Sequence, residues 1–212
     1  MSGVAPNVAR PLRGRPRNSS GSATRERLMQ AAAQEFSRGE YSEVEMKAIA
    51  AEAGLTPAAI YNHFASKDEL FIATANHMMR VNLKVIEEAV SLSADWRAML
   101  AGVLLLFRDD PTGWFGYPLM ITAVQLKMLQ NRERFAEMLE LRRAYARQFE
   151  RIVDAAKASG DLPEALPRPL AAQLLMGFVF NGMGTVRSHY ESEEAIDAIV
   201  ETTAVLLGAA KP

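Results

Sequence analysis

The sequence predicts an all-α protein with a small three-helix head and a larger helical bundle, and three observations carry this. Apolar residues recur three and four apart along most of the 212 residues, and no stretch alternates at period two as a strand would. Residues 46–70 hold two short helical patterns separated by a single glycine. A segment near the C-terminus is apolar on almost every side, more than a chain of this size buries alone.

Residues 1–21 are rich in Pro, Gly and Ser and are expected to form a flexible arm. Arg10, Arg13, Arg15 and Arg17 lie in it, with no acid. Arg13-Gly14-Arg15-Pro16 is similar to the core of an AT-hook. There glycine lets the backbone lie on the minor-groove floor, proline keeps it extended, and arginines enter the narrow electronegative groove. A solvated basic tail is the competing reading. Ser22 or Thr24 is placed to cap a first helix ending near Gly39, with Leu28, Ala32 and Phe36 facing inward.

Met46, Ile49, Ala50 and Ala53 then form one apolar face, and Gly54 suits a left-handed helix end. Thr56 stands at an N-cap and Pro57 at the first helical position, where its missing N–H costs nothing. Ile60 and Phe64 pack inward, which leaves Ala58, Ala59, Tyr61, Asn62 and His63 outward. Ser66 caps the next helix, and Glu69 completes a capping box. Two short helices joined through a glycine form a helix-turn-helix, whose second helix enters a DNA major groove. The small Ala58 and Ala59 let that helix approach base edges beside Asn62. Thr56, Tyr61, His63 and Lys67 are placed to meet the DNA backbone. A plain helical hairpin would show helix, glycine and helix without this whole ordered series.

At these residues the chain resembles the TetR family of bacterial repressors. The matching residues are Tyr41, Val44, Met46, Ile49, Ala50, Ala53-Gly54-Leu55-Thr56-Pro57, Ile60-Tyr61, His63-Phe64, Ser66-Lys67 and Leu70. The Tyr-x-His-Phe-x-Ser-Lys segment is the most specific part. The resemblance reaches back to Thr24 and covers about a quarter of the chain. Val44 and Glu45 stand where the family usually has Thr or Ser, so no hydroxyl is present there for a phosphate contact. The resemblance implies a helix-turn-helix domain over 22–68 and a ligand-binding and dimerisation domain over 69–212. It also implies a homodimer on a palindromic double-stranded operator, released by a small-molecule inducer that tilts the helix linking the two domains.

A hydrophobic content of 49% with 23% charged residues describes an ordinary soluble chain with a real core. The absence of cysteine excludes disulfides and thiolate metal sites. No run of about twenty apolar residues marks a membrane span, and no apolar leader opens the chain, so a cytoplasmic location is expected. The net charge of −1 argues against a uniform coating of nucleic acid. Residues 1–64 hold eight basic and six acidic side chains and the remainder sixteen and nineteen, which suits DNA contact at one end.

Beyond Ser66 a long helix carries Phe71, Met78, Val81, Val85 and Ala89 from head to body. Asp95 is placed to cap a helix to about Phe107 that is apolar nearly all round and expected to be central. Asp109-Asp110-Pro111 interrupts it; the paired acids read as a helix end rather than a shared proton. An aromatic bend follows at 112–118, then a helix to about Gln130 and a long one from Asn131 to about Ser159. Met78, Val81, Met99, Val103, Phe107, Trp114, Phe115, Tyr117, Met120, Tyr145 and Phe149 are the candidate wall of an apolar ligand pocket. For any one of them, plain core is the competing reading.

Two last helices are expected at about 167–187 and 192–208. Leu170, Leu174, Phe178 and Asn181 on the first, with Ile196, Ile199, Val200, Thr203 and Leu207 on the second, predict a four-helix interface with a second copy. His63, His77 and His189 lack metal-ligand spacing, and no phosphate loop or nucleophile elbow is present. No enzyme, metal or cofactor is therefore expected. The rival readings are a DNA-binding regulator without a ligand and an all-helical enzyme or carrier.

Overall fold

In a computed structural model of the chain, the described residues are 17–109 and 118–182, with residues 194, 197, 198, 201, 202 and 205. Among them are eight α-helices with bounded spans, further helical residues at 194, 197, 198, 201, 202 and 205, and no strand. The head holds α1 (Arg17–Arg38), α2 (Met46–Glu52) and α3 (Pro57–Ile60). The linking helix is α4 (Lys67–Ser91). The body holds α5 (Trp96–Asp109), α6 (Pro118–Gln130), α7 (Ala136–Ala158) and α8 (Arg168–Gly177), which continues as a π-helical turn over Phe178–Gly182. No helix among the described residues is long and apolar enough to cross a membrane.

Packing follows the apolar stripes. Leu28, Ala32 and Phe36 of α1 are buried against Ile49, Ala50, Ile60, Phe64, Leu70 and Phe71. Phe36 meets Phe71 edge-on at 4.9 Å, and Tyr41 meets Phe71 at 5.0 Å. Helix α4 packs on α1 at its start and on α5 and α7 further along, so it belongs to both cores. The end of α6 also reaches the head. The Lys127 ammonium lies 3.6 Å from the Tyr41 ring centroid and 3.4 Å from Asp68. Asp68 accepts from the Tyr41 hydroxyl and pairs with Arg134 at 2.8 Å. The Tyr41 hydrogen bond, with Lys127 and Arg134 alongside, holds the Asp68 carboxyl below its ordinary value.

Several elements depart from the sequence expectation. Helix α1 starts at Arg17, so Ser22 and Thr24 lie inside the helix rather than at its cap. A helix nucleated by the packing of Leu28, Ala32 and Phe36 extends over Ser and Gly at about 0.5–1 kcal/mol each. Asn131 caps only a preceding turn, accepting from the Arg134 N–H at 3.1 Å. The long helix begins at Ala136 behind the buried ring of Phe135. Among the described side chains of α5, Met99, Leu100, Val103 and Leu104 are buried while Leu105 is exposed. The penultimate helix leaves α geometry at Phe178, directly after Gly177, whose lack of a Cβ weakens helical order there.

The start of α5 and the end of α7 are tied by one carboxylate. Gly160, at φ 79°, turns the chain out of α7 so that Asp161 meets α5. Asp161 accepts from Arg97 twice at 2.8 Å, from the Trp96 indole at 2.8 Å and from Ser159 at 2.6 Å. Arg97, then Ser159 and Trp96, hold its carboxyl far below the ordinary 3.8. A depressed folded-state value means stability is present above the unfolded value and lost as acid protonates the group. Acidification from about pH 5 to about pH 3 should therefore lower the urea midpoint of the native protein. Asp161→Asn should lower the midpoint at about pH 5 and show a smaller further loss at about pH 3. Equal acid sensitivity in both proteins would remove Asp161 from the acid response.

Candidate nucleic-acid interface

The reading segment is positioned by local chemistry. Gly54 adopts φ 68°, and the Leu55 N–H donates to Ala50 at 2.8 Å, which closes the turn after α2. The Thr56 hydroxyl accepts from the Ala59 N–H at 3.3 Å, and Pro57 opens α3. Helix α3 is one turn long. The N–H groups of Asn62 and His63 donate three residues back, at 3.2 and 3.0 Å, and so extend it as a second turn. Ile60 and Phe64 are fully buried, and this fixes the rotation of the segment. Ala58, Tyr61 and Asn62 are exposed, whereas Ala59 and His63 are half-buried. Ser66 caps α4 by accepting from the Glu69 N–H at 3.1 Å. The Glu69 carboxylate reaches Ala65 rather than Ser66, at 2.8 Å, so the box closes one residue early.

Glu45 is the N-cap of α2 without a side-chain cap bond, and its carboxylate pairs with Lys47 at 2.6 Å. Val44 is buried. Neither residue offers a hydroxyl at the entry to the motif.

The structure corrects the role expected of Lys67. Its ammonium donates to the carbonyls of Tyr41, Ser42 and Val44 at 2.8, 3.1 and 2.9 Å, with the Tyr41 ring centroid 4.6 Å away. An ammonium has three donors, and all three are engaged within the head. Lys67 thus holds the loop between α1 and α2 rather than standing free for a phosphate. Lys67→Met should destabilise the protein by about 2 kcal/mol, read as a lower urea midpoint, because three carbonyls lose a charged donor. Unchanged stability together with a salt slope of operator binding flatter by about one unit would return Lys67 to the DNA backbone.

Arg25 pins the reading segment to α1. Its guanidinium donates to the His63 carbonyl at 2.6 Å and lies 4.0 Å from the Phe64 ring centroid. The contact spans 38 positions in the chain, so no motif marks it. Arg13 and Arg15 lie outside the described residues.

In the body, Met78, Met99, Val103, Met120, Tyr145 and Phe149 join one buried cluster, with Val81 half-buried on the same linking helix. The Tyr145 hydroxyl donates to the Met79 carbonyl at 2.8 Å, and burial pushes its phenol well above the ordinary value. Phe180, absent from the expected wall, meets Tyr145 at 5.2 Å and Phe149 at 5.8 Å. Trp114, Phe115, Tyr117 and the Phe107 side chain lie outside the described residues. On α8 and its π turn, Leu170, Leu174 and Phe178 form an exposed apolar stripe four residues apart. The Asn181 side chain and Ile196, Ile199, Val200, Thr203 and Leu207 lie outside the described residues.

Comparison with known proteins agrees with this anatomy. Residues 28–74 match the family of bacterial regulatory proteins, tetR family. Comparison with curated proteins finds no match. The fold is similar to the transcriptional regulator FadR from Bacillus subtilis, solved in complex with stearoyl-CoA. That similarity has a TM-score of 0.67 and 22% identity, over 86% of this chain and 96% of that one. A TetR-family regulator from Agrobacterium tumefaciens gives a TM-score of 0.69 at 17% identity, over 88% of this chain and 98% of that one. The ketosteroid transcriptional regulator KstR2 of Mycobacterium tuberculosis gives 0.68 at 16% identity, over 89% and 95%. Residues 28–74 thus match the tetR family of bacterial regulatory proteins, and the helical order of the chain is similar to that of these solved regulators.

Proposed function

We propose that this transcriptional regulator is a repressor that binds a palindromic operator as a homodimer and is released by a small, mainly apolar ligand. The observation that carries the DNA half is the reading segment. Buried Ile60 and Phe64 turn Ala58, Tyr61 and Asn62 to solvent behind a Thr56-capped helix start. Ala58, Ala59 and Asn62 approach the base edges, with Thr56, Tyr61 and His63 toward the backbone and Arg13 and Arg15 in the adjoining minor groove. The stripe of Leu170, Leu174 and Phe178 supports pairing with a second copy. The protein acts without catalysis.

The ligand half rests on the apolar cluster of Met78, Met99, Val103, Met120, Tyr145 and Phe149, which lies beside the helix that carries the head. The similar folds of a Bacillus subtilis regulator solved with stearoyl-CoA and of a ketosteroid transcriptional regulator of Mycobacterium tuberculosis support a lipid-like or polycyclic occupant. A ligand preferring the DNA-incompetent state a hundredfold would supply about 2.7 kcal/mol per site.

Operator fragments from DNA beside the gene, titrated with the protein across salt concentrations, test the DNA half. A specific palindrome with a steep salt slope is expected. Fatty acyl-CoA thioesters and steroids titrated against that complex test the ligand half, with Trp114→Ala and Tyr117→Ala in parallel. Release by one of these classes, weakened in both variants, is expected. Operator binding that no apolar compound alters would favour the regulator without a ligand, and no binding to any DNA would sink the proposal.

A further inference from the structure

The helix-turn-helix carries very little positive charge of its own. Across residues 46–66, Lys47 is the one lysine or arginine. Of the cations nearby, Arg25 and Lys67 donate to carbonyls within the head, and Arg38 pairs with Glu35 at 2.6 Å. Lys47 is the second residue of α2, the helix of such a motif that crosses the DNA backbone, and its side chain is 72% exposed. The Lys67 bond to the Val44 carbonyl holds this end of α2 next to the segment that ends at Phe64 and leaves Tyr61 exposed. The ammonium of Lys47 already has a partner, since the Glu45 carboxylate lies 2.6 Å from it. Glu45 does no other local work: it is the N-cap residue of α2, yet its side chain makes no cap bond. Glu40, Glu43 and Glu45 are all exposed, which makes the approach to α2 acidic. An exposed ion pair of this kind is weak and opens readily.

We propose, resting on the operator reading above, that Glu45 competes with the DNA backbone for Lys47 and so lowers affinity for DNA of any sequence. In the protein without DNA, the Glu45 carboxylate holds the ammonium. On DNA a phosphate oxygen accepts from Lys47 instead, and Glu45 is left facing a polyanion. The exchange weakens the part of binding that phosphates supply, which is independent of sequence. The base contacts of the reading segment and the arginines of residues 1–21 then carry more of the complex. A complex tempered in this way is one that a modest ligand preference can release.

The test uses the full chain. Wild type, Glu45→Gln, Lys47→Gln and the double variant are titrated by fluorescence anisotropy from about 50 to about 200 mM salt. One labelled duplex has an arbitrary sequence and the other is the operator fragment. Glu45→Gln should bind both about fivefold more tightly at the lowest salt, with a log–log salt slope steeper by about one unit. Its melting temperature should match wild type, since no cap bond is lost. Lys47→Gln should weaken binding to both, because Glu45 then faces phosphate alone. The double variant should return to the wild-type slope. Unchanged or weaker binding by Glu45→Gln would overturn the proposal, as would a steeper slope that persists in the double variant. Wild-type protein that binds neither duplex would remove the operator reading itself, whereas wild-type binding with no response to Glu45→Gln removes only the role of Glu45.

Discussion

Ala58→Glu is expected to abolish operator binding while the protein keeps its fold. Ala58 is exposed at the second position of α3, behind Thr56 and Pro57. A carboxylate there meets the positive end of a helix, which is neutral or mildly favourable for stability. Exposed substitutions of this kind change stability by about 0.5 kcal/mol or less. On DNA the same carboxylate is brought against a phosphate-lined groove. Like-charge contact at an interface costs several kcal/mol, so a loss of more than about a hundredfold in affinity is expected. Ala58→Gln adds similar bulk without charge and should lose less. Raising the salt should narrow the gap between the two variants, because salt screens the repulsion. Fluorescence anisotropy on a labelled operator reads affinity, and circular dichroism reads the fold. Wild-type binding by the Glu variant would move the reading surface off α3.

Phe178→Asp should give a folded monomer with sharply weaker operator binding. Phe178 is 46% exposed in the single chain, in line with Leu170 and Leu174. An aspartate at an exposed position costs the isolated fold little. In an interface with a second copy it is a charge without a partner, which is strongly unfavourable. Two heads on one palindrome gain from being joined, and losing that link should cost about a hundredfold or more. Leu129→Asp on α6 is the matched control, since Leu129 is also exposed and apolar. Light scattering should show monomer for the first variant and dimer for the second. The reverse result would place the interface on α6.

The sequence by itself determined the elements whose causes lie within a few residues. Gly54 at φ 68°, the Thr56 cap, Pro57 at the start of α3 and the Ser66 cap all stand where the motif put them. The span of α6, Pro118–Gln130, was also legible, because its helical pattern is bounded by a proline and Asn131. Helix ends without a nearby cap were read less well. Packing further along the helix set the start of α1 at Arg17 and of α7 at Ala136.

Only the tertiary structure decided what the charged side chains do. Lys67 reads from its motif as a phosphate contact, but the carbonyls it holds lie 23 to 26 positions away, on a loop whose approach no local spacing announces. Asp68 and Asn76 are likewise ordinary in sequence and become distinctive where α4, α6 and α7 converge. A cap or a stripe is specified by neighbours along the chain, and each local choice supports the next. The partner of a long charged side chain is whichever acceptor the finished packing leaves within reach, and that depends on every helix at once.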